Sequence, residues 1–264
     1  MTEKNLSLKG LNFQATKIEE KNNILTITLS RPEKKNALNN VMMNEICYAL
    51  AYAKQERPIR VVIIAAEGDI FCAGADLRRE ESESNVPKLE GSDDISLMLR
   101  HLYKPVICKI QGSVLAGALL MVTNSTHAVA VQEAKFSAPE ILRGLWPHMV
   151  MAGLFRVMPK RAGLDFVMRG QSIDAKQAKE WGLINEFVRA EELDDYVNKL
   201  SEELASLAPG TMSFGLEAYE KQDAMAFDEA LPFLQKQIAK TFEGPDAKEG
   251  IAAFLEKRKP NWDK

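Results

Sequence analysis

The chain has 264 residues, 34 Lys and Arg against 37 Asp and Glu, a formal net charge of −3 and 46% hydrophobic residues. These values describe a water-soluble globular chain with one sizeable core and room for a small appended subdomain, and the interspersed charges lack the basic patch that nucleic-acid binding requires. The longest apolar stretch, residues 114–122, is interrupted by Gly117 and far short of the roughly 20 residues of a membrane-spanning helix, while Cys47, Cys72 and Cys108 are too scattered for a disulfide framework or a zinc cluster.

Residues 13–17 and 24–29 alternate polar and apolar side chains around Lys21-Asn22-Asn23, which predicts a hairpin of half-buried strands. Arg31-Pro32 stops the second strand. Over residues 37–56, Met42, Ile46, Ala49, Leu50 and Ala53 recur at helical spacing, with Asn36 or Asn39 as N-cap. Residues 61–66, 106–110 and 128–131 are short apolar runs rich in β-branched side chains, the pattern of strands covered on both faces. Strands alternating with helical segments predict an α/β architecture built from crossover units, with no detectable sequence repeat. Residues 78–94, rich in Glu and Ser, read as a surface excursion that is either a solvated loop or a lid.

Beyond Pro159 the pattern is mainly helical. One helix over residues 161–169 ends at Gly170, and another over 174–181 is capped by Asp174 and ends at Gly182. A short strand over 183–188 precedes helices over 192–207 and 211–254, with interruptions expected near Pro209, Pro232 and Gly244-Pro245. We therefore expect a core over residues 1–200 and a helical region over residues 201–264.

Three segments depart from a plain core. Ala73-Gly74-Ala75 follows the strand at 61–66, and its small residues let a ligand approach backbone N–H groups; a tight turn without a ligand would look the same. Gly112 and Ala116-Gly117 follow the strand at 106–110 and lead into an apolar helix, whose N-terminus favours negative charge; close helix packing is the bland alternative. In Pro139-Glu140-Ile141-Leu142, desolvation would raise the pKa of Glu140 and suit it to proton transfer, unless it is a surface glutamate paired with Arg143. Two backbone donors and one carboxylate together form a site suited to an enolate-like intermediate.

At these residues the sequence resembles the crotonase superfamily, the enoyl-CoA hydratase/isomerase family. The likeness runs through Arg31-Pro32, Asn36-Ala37-Leu38-Asn39, Phe71-Cys72-Ala73-Gly74-Ala75-Asp76, Lys104-Pro105-Val106-Ile107, Ala116-Gly117, Pro139-Glu140-Ile141, Gly170, Gly182-Leu183-Ile184 and a late Phe254-Leu255-Glu256. It implies a ClpP/crotonase-like spiral of ββα units with a C-terminal helical region that trimerises or covers the site, in a homotrimer or dimer of trimers. The implied substrate is an acyl-CoA thioester of fatty acid metabolism, with no separate cofactor, no metal, no nucleic acid and no membrane partner. By the same resemblance, the N–H groups of Ala75 and Gly117 form an oxyanion hole and Glu140 is the acid/base. Lys35, Ala37, Ala73, Gly74, Asp76, Leu77, Leu115, Leu120, Pro139, Leu145 and His148 line the CoA and acyl site.

The departures from that pattern shape the expected reaction. A hydratase of this family carries a second glutamate three residues after the oxyanion glycine, and here that position is Leu120. One carboxylate beside an oxyanion hole suits a proton shuttle, so isomerisation of 3-enoyl-CoA to 2-enoyl-CoA is expected ahead of hydration. The rivals are a hydratase using another acid/base group, such as His148, Asp93 or Asp94, and an acyl-CoA-binding protein without efficient catalysis. After Pro147, His148-Met149-Val150-Met151-Ala152-Gly153 replaces a glycine-rich turn, with Met149 and Met151 either adaptable walls or ordinary core. Cys72, beside the expected CoA site, is assigned to packing. MTEKNLSLKG has no apolar signal-peptide core, which with the cysteine pattern suggests a reducing cytosol.

Overall fold

The computed structural model describes residues 6–78, 84–89 and 94–262. β1 (Thr16–Lys21) and β2 (Ile24–Leu29) form the expected antiparallel hairpin, although the first strand lies at 16–21 rather than 13–17 and takes in Lys21. Asn22 and Asn23 take left-handed φ values of 52° and 66°, as a two-residue hairpin turn of matching twist demands. α1 (Asn40–Gln55) follows, and its cap is Asn39, whose side chain accepts the Met42 N–H at 2.9 Å. At the other end Lys104 donates to the carbonyls of Ala53 and Glu56, at 2.5 and 2.8 Å. It ties the end of α1 to the start of the strand at residues 106–110, so this motif lysine has a structural task.

Two sheets organise the core. The larger has the order β1-β2-β3-β5-β7-β10, with β3 (Val61–Ala66), β5 (Val106–Ile110), β7 (His127–Val131) and β10 (Glu186–Val188), and every pairing except β1 with β2 is parallel. The smaller has the order β4-β6-β8-β9, with β4 (Ile70–Cys72), β6 (Ser113–Leu115), β8 (Lys135–Ser137) and β9 (Ile173–Asp174). Three times the chain lays one strand in the large sheet and one in the small sheet, then enters a helix. β3 and β4 lead to α2 (Ile95–Arg100), β5 and β6 to α3 (Leu119–Asn124), and β7 and β8 to α4 (His148–Val157). This is the expected spiral of ββα units. The wholly apolar strands are explained by it, since Val61, Val62, Ile64, Ile107 and Cys108 are almost completely buried.

α5 (Lys160–Arg169) ends at Gly170 with φ 60°, and α6 (Ala175–Glu180) is capped by Asp174, which accepts the Gln177 N–H at 2.8 Å. α7 (Leu193–Ala205) packs on β3, β5 and β7. Residue 200, where the helical region was expected to begin, falls inside α7, and α8 (Pro209–Gln222), α9 (Phe227–Glu243) and α10 (Pro245–Leu255) follow. Pro209 and Pro245 start their helices, where a missing N–H costs nothing. Pro232 does not interrupt the chain as expected: it lies inside α9 and forgoes one ladder bond, while the break falls between Gln222 and Phe227. No helix of the described residues is long and apolar enough to cross a membrane.

Candidate active site

The three segments singled out above leave adjacent parallel strands at the same end. Cys72 of β4 pairs with Val114 of β6, and Leu115 of β6 pairs with Ser137 of β8. Ala75, Gly117 and Glu140 each follow within three residues, so the strand order brings together positions far apart in sequence. The carboxyl ends of parallel strands are where open α/β sheets place their ligands.

The direction of the Ala75 N–H follows from the ladder. Residues 35–38 run beside residues 73–76: the Ala73 N–H donates to Lys35 O (3.0 Å), the Leu38 N–H to Gly74 O (2.8 Å) and the Asp76 N–H to Leu38 O (2.8 Å). Leu38 and Ala75 thus form a parallel bridge in which Leu38 spends its groups on Gly74 and Asp76. In such a bridge the opposite residue points its own N–H and C=O the other way. Ala75 therefore turns its N–H away from Leu38, and among the described residues that N–H has no acceptor.

Glycine is required at position 74. Gly74 has φ 87°, and a Cβ there would meet Ala116 Cβ at 2.8 Å, Leu115 O at 2.9 Å and Gly117 N at 3.0 Å. A Cβ on Gly117 would sit 3.6 Å from Ala75 N, an ordinary contact that places the two turns side by side. Ala116 carries a left-handed φ of 52°, unusual for a residue with a Cβ, at the turn that presents Gly117. The turn leads through a 3-10 segment into α3. Leu120, half-buried in the first turn of α3, offers no acid/base group.

Glu140 lies in a 3-10 turn over Pro139–Arg143 that closes at Gly144. That turn is held against the end of α5: Ser137 Oγ donates to Gly170 O at 3.3 Å, and a Cβ on Gly170 would come within 3.4 Å of Pro139, Ile141 and Leu142 atoms. Glu140 is partly buried, and its Oε2 is shielded from solvent without a hydrogen-bond partner among the described residues. Burial raises its pKa above the ordinary glutamate value, opposed by its own backbone N–H and the charge of Arg143. No ion pair joins Glu140 and Arg143 among the described residues; Arg143 instead reaches Pro139 O at 3.5 Å. The surface-pair alternative is thereby set aside.

The other expected residues divide. Ala37, Ala73, Leu115 and Pro139 are half-buried beside these turns, Lys35 and Leu77 are exposed on the 35–38 and 73–77 strip, and Leu145 and His148 are exposed just after the Glu140 turn. His148 is the first residue of α4. Asp76 carries its charge to Arg31 rather than leaving it free: both Arg31 Nη atoms lie 3.3 Å from Asp76 Oδ2. Met149 is 60% exposed and Met151 accepts the Trp146 Nε1–H at 3.0 Å, so neither is ordinary core. Cys72 donates to Asn36 O at 3.0 Å, and burial pushes its thiol up to about 12, consistent with packing. Asp94 caps α2, accepting the Leu97 N–H at 3.0 Å, and Asp93 lies outside the described residues. Sequence reasoning named Arg31 and Asn36 only as motif or cap residues and missed their roles: Arg31 reaches Ala37 O and Asp76, and Asn36 is fully buried and bonded to Arg31 N and to the carbonyls of Glu67 and Ile70.

A ββα spiral with two small-residue turns and one partly buried carboxylate at the ends of β4, β6 and β8 defines the class as a crotonase-fold enzyme. The sequence model of the family described as enoyl-CoA hydratase/isomerase matches residues 19–264. The mevalonyl-coenzyme A hydratase of Aspergillus fumigatus is 31% identical, over 90% of this chain and 91% of its own. A probable mitochondrial enoyl-CoA hydratase of Dictyostelium discoideum is 29% identical, over 95% and 91%. Among solved structures, an enoyl-CoA hydratase of Mycobacterium smegmatis superposes with a TM-score of 0.86 at 27% identity, covering 95% of this chain and 100% of that one. Human enoyl-CoA hydratase domain-containing protein 3 gives the same TM-score and identity, covering 94% and 100%. The chain belongs to the enoyl-CoA hydratase/isomerase family.

Proposed function

We propose that this enzyme isomerises 3-enoyl-CoA thioesters to 2-enoyl-CoA, with the N–H groups of Ala75 and Gly117 as the oxyanion hole and Glu140 as the only acid/base group. The thioester carbonyl oxygen accepts from both N–H groups. Glu140 takes a proton from C2; the C–H electron pair moves into the C1–C2 bond, and the carbonyl electrons come to rest on oxygen. The carboxylic acid then returns the proton to C4 as the electrons move back, leaving the double bond between C2 and C3. Two backbone donors aimed at the developing charge contribute on the order of 3 kcal/mol each to lowering the barrier. Shielding of Glu140 favours its protonated form midway through the reaction, which assists return of the proton.

The observation that carries this reading is the Oε2 of Glu140, shielded and without a partner among the described residues, with Leu120 where a second carboxylate would stand. Hydration needs one group to activate water while another delivers the α-proton. Of the other candidates, His148 is exposed at the start of α4 and Asp94 is occupied as a cap, which supports the one-carboxylate reading. The test compares initial rates on a 3-enoyl-CoA and a 2-enoyl-CoA. Lys35, Ala37, Ala73, Gly74 and Leu77 form the strip along which we place the CoA moiety, and Leu115, Leu120, Pro139, Leu145 and His148 surround the acyl group. The exposed apolar side chains of α9 suggest a homo-oligomer, a trimer or a pair of trimers.

A further inference from the structure

The pair Arg31 and Asp76 is almost withdrawn from solvent, with side chains 12% and 10% exposed. Arg31 follows β2, and Asp76 follows Ala75 directly. The guanidinium donates from Nη1 to Ala37 O at 2.7 Å and faces Asp76 Oδ2 with both Nη atoms at 3.3 Å. The second carboxylate oxygen, Oδ1, accepts the Arg78 N–H at 3.2 Å. The backbone of Arg31 is itself fixed, its N–H donating to Asn36 Oδ1 at 2.9 Å, while Asn36 Nδ2 bonds Glu67 O and Ile70 O at 2.8 and 2.9 Å. One guanidinium thus grips both segments of the Leu38–Ala75 bridge, holding Ala37 on one side and Asp76 on the other.

We propose that Arg31 and Asp76 act as a positioning pair that sets the direction of the Ala75 N–H, an inference that rests on the reading of Ala75 as an oxyanion donor. The reasoning is geometric. Ala75 has no side chain able to anchor it, and the peptide that carries its N–H follows Gly74, a residue with unusual conformational freedom at φ 87°. Two main-chain bonds to Leu38 hold the segment on one side. The rotation that remains is stopped by Asp76, whose carboxylate is fixed between Arg31 and the Arg78 N–H. A planar guanidinium reaches a carbonyl and a carboxylate together, which a lysine ammonium does not do with the same rigidity. A reacting group displaced by about 1 Å loses about a hundredfold in rate. Loss of the pair should therefore appear in turnover, because the donor is needed most when charge develops on the thioester oxygen.

The test uses the full chain, with 3-hexenoyl-CoA as substrate. Asp76→Asn keeps the shape and removes the charge, Arg31→Lys keeps the charge and removes the fork, and Arg31→Ala opens a space that guanidinium chloride at millimolar concentration can fill. The expected result is a kcat reduced about ten- to a hundredfold in Asp76→Asn and Arg31→Lys, with KM changed by less than about threefold. Added guanidinium should restore part of the Arg31→Ala turnover and leave the native enzyme unchanged. A folded Asp76→Asn variant with native kcat overturns the proposal, as does a rise in KM at constant kcat, which would make the pair a CoA-holding element. Should Arg31→Ala fail to fold, the two conservative variants decide. The carbonyl stretch of bound 2-hexenoyl-CoA separates this proposal from the reading beneath it, because two N–H donors lower the frequency of a thioester carbonyl they polarise. If the native enzyme leaves that frequency unshifted, the oxyanion reading itself fails, whatever Arg31 and Asp76 do.

Discussion

Glu140 is a carboxylate in a place that favours its neutral form, and this fixes how activity and stability depend on pH. It must be ionised to accept a proton from C2. Because burial raises its pKa, the acidic limb of kcat/KM is expected above the ordinary glutamate range, and Glu140→Asp or Gln variants should not show that limb at the same pH. The sign for stability is opposite to that of an ion-paired acid. The folded state binds the proton more tightly than the unfolded chain, so stability falls as pH rises from the ordinary glutamate pKa through the raised one. In Glu140→Gln that fall disappears, and its melting temperature should exceed that of the native protein above this window. Melting curves across pH check it; a native-like pH dependence in the variant would contradict it. At this scale Glu140, Gly74 and Gly117 were legible from sequence because an acid in an apolar run and clustered small residues are local signals. Arg31 and Asn36 were not, since their partners are a side chain 45 residues away and carbonyls 31 and 34 residues away, which no local pattern reveals.

At the level of elements, each of the helices α2, α3 and α4 follows one of the three site segments, and α3 packs between the other two. The α3–α4 contact is unusually close at Gly153, where a Cβ would lie 2.3 Å from Thr123 Oγ1 and 2.9 Å from Thr123 Cβ. Thr123 has little room to yield, because its hydroxyl donates to Leu119 O at 2.8 Å within α3. Gly153→Ala should therefore push α3 away from α4, costing about 1–3 kcal/mol, and lower both the melting temperature and kcat, because α3 starts beside Gly117. An unchanged melting temperature would show that the interface accommodates a methyl group. Most helix ends were readable from sequence: Asn39, Asp174, Gly170 and the prolines at 209 and 245 act where their chemistry suits them. The break before Phe227 was hidden because it carries neither Gly nor Pro, and Pro232 misled because a proline early in an exposed helix is tolerated at the loss of one bond.

For the molecule as a whole, the spiral repeats three times in structure with no repeat in sequence. Each unit needs only a buried β-branched strand, a short second strand and an apolar helix, and many sequences meet that requirement. The alternation of strands and helices was therefore legible, whereas the division into two sheets was not, since β4, β6 and β8 are only three residues long. The C-terminal helices leave a stripe of apolar side chains in water. Along α9, Phe227, Leu231, Leu234, Ile238 and Phe242 recur at helical spacing and are exposed, and Phe254 of α10 is 81% exposed. A monomer rarely leaves so long an apolar face uncovered, and light scattering should give three or six times the chain mass of 29.5 kDa; a monomer at micromolar concentration would contradict the oligomer.

The central claim is that one carboxylate and two backbone donors suffice for this enzyme, and that they move a double bond rather than add water. Purified protein given 3-hexenoyl-CoA and, separately, 2-hexenoyl-CoA answers it through the two initial rates. Isomerisation of the first is expected to be faster than hydration of the second, and faster hydration would contradict a one-carboxylate isomerase.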